Sequence, residues 1–148
     1  MARRVLYLVA AAVAALSLSG CGIFDKITGV GIESRIASFA RRLNADDRST
    51  VYLQFHPALT TRYEELKEPT FWDEPFPVPA AADAAYRITV VSSTWPRDPA
   101  AVVASMSGPA AFGANRDVEL TMAKDGKDWM IRAIYMQGND GGWAAVVD

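Results

Sequence analysis

The stretch RDVELTMAKDGKDWMIRAIYM, residues 116–136, decides the fold. Apolar and polar side chains alternate on both sides of Asp125-Gly126, which is the pattern of a strand with one buried face. Asp-Gly suits the two-residue type I′ turn that joins antiparallel strands. The stretch therefore predicts a β-hairpin whose strands are residues 116–124 and 127–136.

The Asp-Gly turn also predicts how the two strands pair. If Lys124 lies opposite Lys127, three apolar pairs share one face, namely Val118 with Ala133, Leu120 with Ile131, and Met122 with Trp129. The other face then pairs Glu119 with Arg132 and Thr121 with Met130. A slip by one residue would turn every side chain to the opposite face, so the hydrophobic pattern favours this register.

Residues upstream of the hairpin predict the rest of an α+β domain. Residues 86–95 and 101–107 add two strands, the first rich in β-branched side chains and the second weaker, and make a sheet of about four. Residues 32–43 carry an apolar stripe at helical spacing and predict a first helix. The acidic pair at 46–47 is suited to cap a second helix, which ends before Pro57 because proline has no N–H to donate.

This order of elements resembles the NTF2-like, or cystatin-like, α+β fold. The local resemblances are residues 43–47 between the helices, residues 55–57 at the end of the second helix, and residues 124–131 in the hairpin. The resemblance covers residues 32–136 and implies two N-terminal helices packed on a curved antiparallel sheet around a conical pocket. Members of this family include isomerases, dehydratases, assembly subunits and binding modules, so the fold alone implies no single activity.

A proline-rich loop between the second helix and the sheet supplies the candidate contacts for a ligand or partner. Residues 67–85 hold four prolines, which exclude a central strand or a long helix. Large aromatic side chains in such a loop either pin it to the core or form a binding surface. The candidates for contact with a ligand or partner are Tyr63, Phe71, Trp72, Phe76 and Tyr86.

The N-terminal residues have the order of a secretory signal. Arg3 and Arg4 precede an uncharged apolar run that is too short for a stable transmembrane helix. The run ends in Leu18-Ser19-Gly20-Cys21, which resembles the lipobox of bacterial lipoproteins. That resemblance implies a signal peptide at residues 1–20 that is cleaved off. It also implies a diacylglycerol on the thiol of Cys21, often with a further acyl chain on its amine.

Cys21 is the single cysteine among 148 residues, which leaves it without a disulfide partner in the chain. Two or three acyl chains would hold the mature protein stably in a bilayer. Residues 21–31 form the lipidated tether, residues 32–136 the domain, and residues 137–148 a C-terminal tail that is either a short edge segment or loose. Gly22 stands where an aspartate usually retains lipoproteins in the inner membrane. The resemblance therefore implies the outer membrane, facing the periplasm, with the cell surface as the alternative.

The charge of the mature chain argues against nucleic acid as a partner. Residues 1–20 hold two of the 15 basic side chains and none of the 17 acidic ones, so the mature chain has a formal charge of −4. A mildly acidic domain has no basic surface to attract phosphates, and no polybasic patch to add to a lipid anchor.

Few residues suggest catalysis, and none suggests a metal or cofactor site. His56, the single histidine, precedes a proline at a helix end, where an imidazole more often caps carbonyl groups than transfers protons. One histidine and one lipidated cysteine do not make a zinc site. We expect no catalytic residues, no metal and no cofactor.

The sequence favours a membrane-anchored, non-enzymatic module of the cell envelope that binds a protein partner or a small apolar ligand. Two alternatives stay open. One is an isomerase or hydrolase whose acid–base groups lie inside the cone. The other is a structural subunit of an envelope complex, for which the free face of the sheet would allow a dimer.

Overall fold

The computed structural model describes residues 30–80 and 84–148, which form one α-helix and an antiparallel sheet. The helix α1 spans Ile32–Leu43. The strands are β1 (Arg87–Ser93), β2 (Ala100–Ser107), β3 (Arg116–Asp125), β4 (Asp128–Gln137) and β5 (Trp143–Val147). They follow one another across the sheet in chain order, so β1 and β5 are its edges.

The predicted fold class, two helices on a sheet of about four strands, is therefore wrong. The described residues are mostly β, with one α-helix and five strands. In the place of the second helix, Val51–Gln54 forms a short 3₁₀ turn. The Asp47 carboxylate accepts the N–H of Ser49 at 2.8 Å, two residues ahead, in a local turn and not as a helix cap. So few residues remain before Pro57 that a helix cannot offset its nucleation cost.

The fifth strand lies in the segment that the sequence left as an edge or a tail. Gln137 of β4 lies opposite Trp143, and Ile134 lies opposite Val147, which is fully buried. The edge position explains why the segment is hard to recognise from sequence. Its first three residues are exposed, so little of it shows the alternation of a half-buried strand.

The hairpin forms where predicted, but its register differs. Asp125 lies opposite Asp128, so Gly126 and Lys127 are the two turn residues. Gly126 has φ +60, whereas no described residue other than glycine has a positive φ. A type I′ turn needs a positive φ at both central residues, and of Gly126 and Lys127 only Gly126 has one. The predicted type I′ turn centred on Asp-Gly is therefore not formed.

An irregularity in the hairpin then reverses the faces of β4. Near the turn Met122 lies opposite Ile131, but beyond the irregularity Leu120 lies opposite Ile134. One extra residue on β4 turns the following side chains over, as a β-bulge does. The predicted pair of Glu119 with Arg132 is consequently absent, because Glu119 lies opposite Tyr135.

Helix α1 packs on the sheet through the predicted stripe, with Ile36, Phe39 and Leu43 all at most 2 % exposed. Arg35 is also buried. Its Nε donates to the carbonyl oxygen of Trp129 at 2.7 Å and its Nη1 to Gln54 at 3.1 Å, so a cation ties the helix to the hairpin. Burial lowers the pKa of Arg35, and nearby Asp128 partly opposes that effect.

The space between helix and sheet is filled by aromatic rings. Phe39 contacts Phe55, Trp72 and Phe76 at centroid distances of 5.8–6.0 Å in edge-to-face geometry. Phe76 in turn stacks on Phe112 at 6.3 Å. These rings are at most 3 % exposed, so the interior that the predicted cone would leave open is occupied by the protein's own side chains.

Candidate functional site

Three of the predicted contact residues lie in the core. Trp72 and Phe76 are fully buried and Tyr86 is 2 % exposed. The indole N–H of Trp72 donates to the carbonyl oxygen of Leu66 at 3.0 Å, and the Tyr86 hydroxyl donates to that of Pro77 at 2.7 Å. Burial raises the pKa of Tyr86 to about 12, although Arg48 opposes the shift. All three side chains therefore act as internal packing groups.

A buried arginine explains why the aromatic loop turns inward. The guanidinium of Arg48, only 3 % exposed, donates to the carbonyl oxygens of Trp72 at 3.2 Å, of Phe76, and of Pro77 at 3.3 Å. It also lies 3.4 Å from a carboxylate oxygen of the half-exposed Asp73. Sequence reasoning missed Arg48, because no local pattern separates a buried arginine from the solvated ones.

The other two predicted contact residues are half-buried. Tyr63 packs edge-to-face on Tyr52 at 5.8 Å, and Lys67 Nζ lies 5.3 Å from its ring. Phe71 packs on Trp72 from outside, and the Arg62 guanidinium lies 4.9 Å above its ring. Phe71 also lines a surface groove.

We call this surface the loop groove, a cavity of about 530 Å³ between the aromatic loop, the start of β3 and strand β5. Two arginines lie in it above aromatic rings, Arg62 over Phe71 and Arg116 over Phe112, the latter at 5.2 Å. Among the described residues, Glu74 is the one acidic side chain that lines it. The lining residues are Arg62, Thr70, Phe71, Glu74, Pro75, Pro77, Ala111, Phe112, Arg116, Met136, Gly138, Ala144, Ala145 and Val146.

A second groove of about 650 Å³ lies beside the tip of the β3–β4 hairpin, and we call it the hairpin groove. It is lined by Val30, Gly31, Ile32, Glu33, Ser34, Val90, Ser93, Trp95, Lys124, Lys127 and Trp129. Val30 is bonded to the hairpin here. Its N–H donates to Asp128 Oδ1 at 2.8 Å, and its carbonyl accepts the N–H of Trp129 at 2.9 Å. The tether therefore enters the domain at this groove.

The two grooves lie at opposite ends of the sheet. Strand β3 begins at Arg116 in the loop groove and reaches Lys124 in the hairpin groove. Eight residues of strand at roughly 3.3 Å each separate these positions by about 26 Å. We refer to the end that holds the hairpin groove as the tether pole and to the other as the far pole.

The polar groups considered for catalysis or metal binding have structural partners. The Nδ1 atom of His56 accepts the N–H of Ala58 at 3.2 Å, while the backbone N–H of His56 donates to Ile131 at 2.8 Å. The bond from Ser49 lowers the pKa of the exposed Asp47. Within residues 30–80 and 84–148, no three His, Cys, Asp or Glu side chains converge to hold a metal ion.

Other sequence predictions concern residues outside this part of the chain. The signal peptide at 1–20, Cys21 and the first nine residues of the tether lie outside the described residues. The helix that the structure does describe is not long and apolar enough to span a bilayer. Comparison of the chain with protein-family models, with curated proteins and with solved structures found no match.

Proposed function

We propose that this protein is a lipid-anchored interaction module of a bacterial cell envelope, held to its membrane by acyl chains on Cys21. The observation that carries the proposal is Leu18-Ser19-Gly20-Cys21 at the end of an uncharged apolar run that follows Arg3 and Arg4. The absence of an aspartate after the cysteine favours the outer membrane, with the domain in the periplasm.

The position of the tether supports a module that presents its far pole to partners. Val30 is the ninth residue after Cys21, so the two are at most about 30 Å apart when the chain is extended. Val30 is bonded at the tether pole, so that pole stays close to the lipid. The loop groove, at the other end of the sheet, then points away from the bilayer.

The chemistry of the loop groove suits an extended, acidic segment of a protein partner. Among the described residues, the guanidinium of Arg116 donates only to Met136 Sδ, at 3.5 Å, and an arginine fork binds carboxylates well. Arg62, in contrast, already donates to Glu65 Oε2 at 2.7 and 2.8 Å. Strand β5 borders the groove as a sheet edge, and the small side chains of Ala144 and Ala145 let another backbone approach. An extended peptide can add to such an edge through main-chain hydrogen bonds.

A binding role is preferred to catalysis because the groups that an enzyme would need are occupied. His56 caps a turn, and the Tyr86 hydroxyl is bonded to a carbonyl in the core. The interior between helix and sheet is filled by aromatic rings. Recognition is therefore assigned to the surface, and the loop groove is the surface that includes a predicted contact residue, Phe71.

Lipidation is tested by labelling bacteria that express the full chain with a fatty-acid probe. We expect the wild-type protein to be labelled and Cys21→Ser to lose all label, because it lacks the chain's single thiol. Ser17→Ala, which lies outside the four-residue motif, is the control and should keep the label. An unmodified thiol, or an N-terminus other than Cys21 in the mass of the mature protein, would contradict the proposal.

The loop groove is tested by placing a photo-crosslinking phenylalanine analogue at position 71 in cells. We expect a discrete protein adduct at position 71 and none at position 59, because Leu59 is 45 % exposed but lines neither groove. Arg116→Ala should reduce the adduct about tenfold, because the loss of a charge-assisted contact costs about 1.4 kcal/mol or more. Equal adducts at 71 and 59 would refute a role for the groove.

A further inference from the structure

The tether pole exposes apolar side chains at the hairpin groove. Trp95, which follows β1, is 59 % exposed. Val90, at 36 %, joins Trp95 in lining the hairpin groove. Exposed apolar groups gathered at one place on a domain indicate a surface that contacts something else.

The tether restricts what that contact can be. On the proposed lipidation, Cys21 lies at the bilayer surface, and nine residues later the chain is bonded to the hairpin through Val30. The hairpin groove therefore lies within about 30 Å of the lipid headgroups in every orientation of the domain. Contact with the bilayer needs only a rotation about the tether and no second diffusional encounter.

The residues at this pole have the chemistry of a membrane interface. Tryptophan is enriched at the level of the headgroups, where its ring is buried and its N–H stays near water. Lys124, which lies 5.4 Å from the ring of Trp129, can extend its ammonium toward phosphates over an apolar stem. The pole also holds Glu33, Asp125 and Asp128, so its charges are mixed and favour zwitterionic lipid over strongly anionic lipid.

We propose that the tether pole docks on phospholipid headgroups, with Trp95 inserted in the interfacial layer. This inference rests on the proposed lipid anchor. The anchor keeps the domain next to the bilayer, so that a weak contact with the headgroups is enough for docking. Docking fixes the orientation of the domain and turns the loop groove at the far pole toward the aqueous compartment.

The chain contains a matched pair of tryptophans with which to test this contact. Trp95 and Trp143 are both exposed, at 59 % and 46 %, but Trp143 begins β5 at the far pole. Of the other two, Trp72 is fully buried and supplies a constant background, whereas Trp129, 6 % exposed, lines the hairpin groove and reports on the same pole as Trp95. Replacement of either exposed ring by phenylalanine keeps an apolar side chain at the site.

The experiment uses the full-length protein purified from bacterial membranes and reconstituted into phosphatidylcholine vesicles with brominated acyl chains. Bromine quenches only the tryptophans that reach the bilayer. We expect the wild-type protein to be quenched, Trp95→Phe to lose most of the quenching, and Trp143→Phe to retain it. The mass of the same sample reports whether Cys21 carries acyl chains.

The two readouts separate failure of docking from failure of the anchor. Acylated protein without quenching, or with equal losses in both variants, overturns docking and leaves the anchor in place. Emission from Trp95 that is shifted to the blue without quenching also overturns docking, because it indicates that the tether's own Ile23, Phe24 or Ile27 covers the groove. An unmodified Cys21 with quenching through Trp95 overturns the anchor and supports docking, whereas an unmodified Cys21 without quenching overturns both.

Discussion

Truncation of Trp72 to alanine is expected to lower the free energy of unfolding by about 3–5 kcal/mol, the range for large aromatic side chains in a core. Trp72 is fully buried and contacts Phe39, Phe55, Phe71 and Phe76 at centroid distances of 5.1–6.2 Å. Removal of its ring leaves a cavity at the centre of this cluster and an unpaired carbonyl at Leu66. Equilibrium urea unfolding followed by circular dichroism measures the loss.

The matched control is Trp95→Ala, which removes the same ring from a site that is 59 % exposed. Because exposed side chains contribute little to folding, we expect a change within about 0.5 kcal/mol. Similar losses in the two variants would contradict the assignment of Trp72 to the core. In that case Trp72 would return to the set of residues available to a ligand.

The sequence predicted the elements whose signal is local. Helix α1 was predicted at residues 32–43 and spans Ile32–Leu43. Its stripe of Ile36, Phe39 and Leu43 is buried as the 3.6-residue period requires. The hairpin also lies where alternating hydrophobicity predicted it, because both patterns depend on neighbours within a few residues along the chain.

The details that the sequence did not predict depend on contacts between distant residues. The irregularity near Thr121 places Ile134 opposite Leu120 and Met136 opposite Val118, where the pattern predicted Ile131 and Ala133, and all four are apolar in the sequence. The short turn at Val51–Gln54 ends in Phe55, which bridges to Ile131 in β4, so tertiary pairing replaces the second helix. Intrinsic helix and strand propensities do not specify such contacts between residues that are distant in the chain.

The candidate site was predictable only in part. Aromatic side chains in a proline-rich loop were recognised, but the sequence left open whether they face the core or a partner. The guanidinium of Arg48 donates to three loop carbonyls and holds the loop inward, so Trp72 and Phe76 are buried while Phe71 lines the loop groove. The loop groove brings together Arg62 and Arg116, which lie 54 positions apart in the chain, and no local motif reveals this.

Replacement of Arg48 by methionine is expected to lower the free energy of unfolding by about 1–3 kcal/mol, the cost of leaving a buried carbonyl group without its donor. Methionine keeps the length and apolar stem of arginine but donates no hydrogen bond. The carbonyl oxygen of Phe76 loses its Arg48 donor, whereas that of Trp72 keeps the N–H of Phe76 at 3.0 Å and that of Pro77 keeps the hydroxyl of Tyr86. Urea unfolding measures the loss, and hydrogen exchange at the amide of Phe76 reports whether the loop has opened.

Two further variants separate the carbonyl bonds of Arg48 from its ion pair. Asp73→Ala removes the charge partner, but that carboxylate is 50 % exposed, so we expect a loss of less than about 1 kcal/mol. Arg48→Lys keeps the charge and loses the planar fork, so its stability should fall between wild type and Arg48→Met. If Asp73→Ala were as destabilising as Arg48→Met, the ion pair would hold the loop instead. If Arg48→Lys matched the wild type, charge alone would suffice and the geometry of the three carbonyl bonds would not matter.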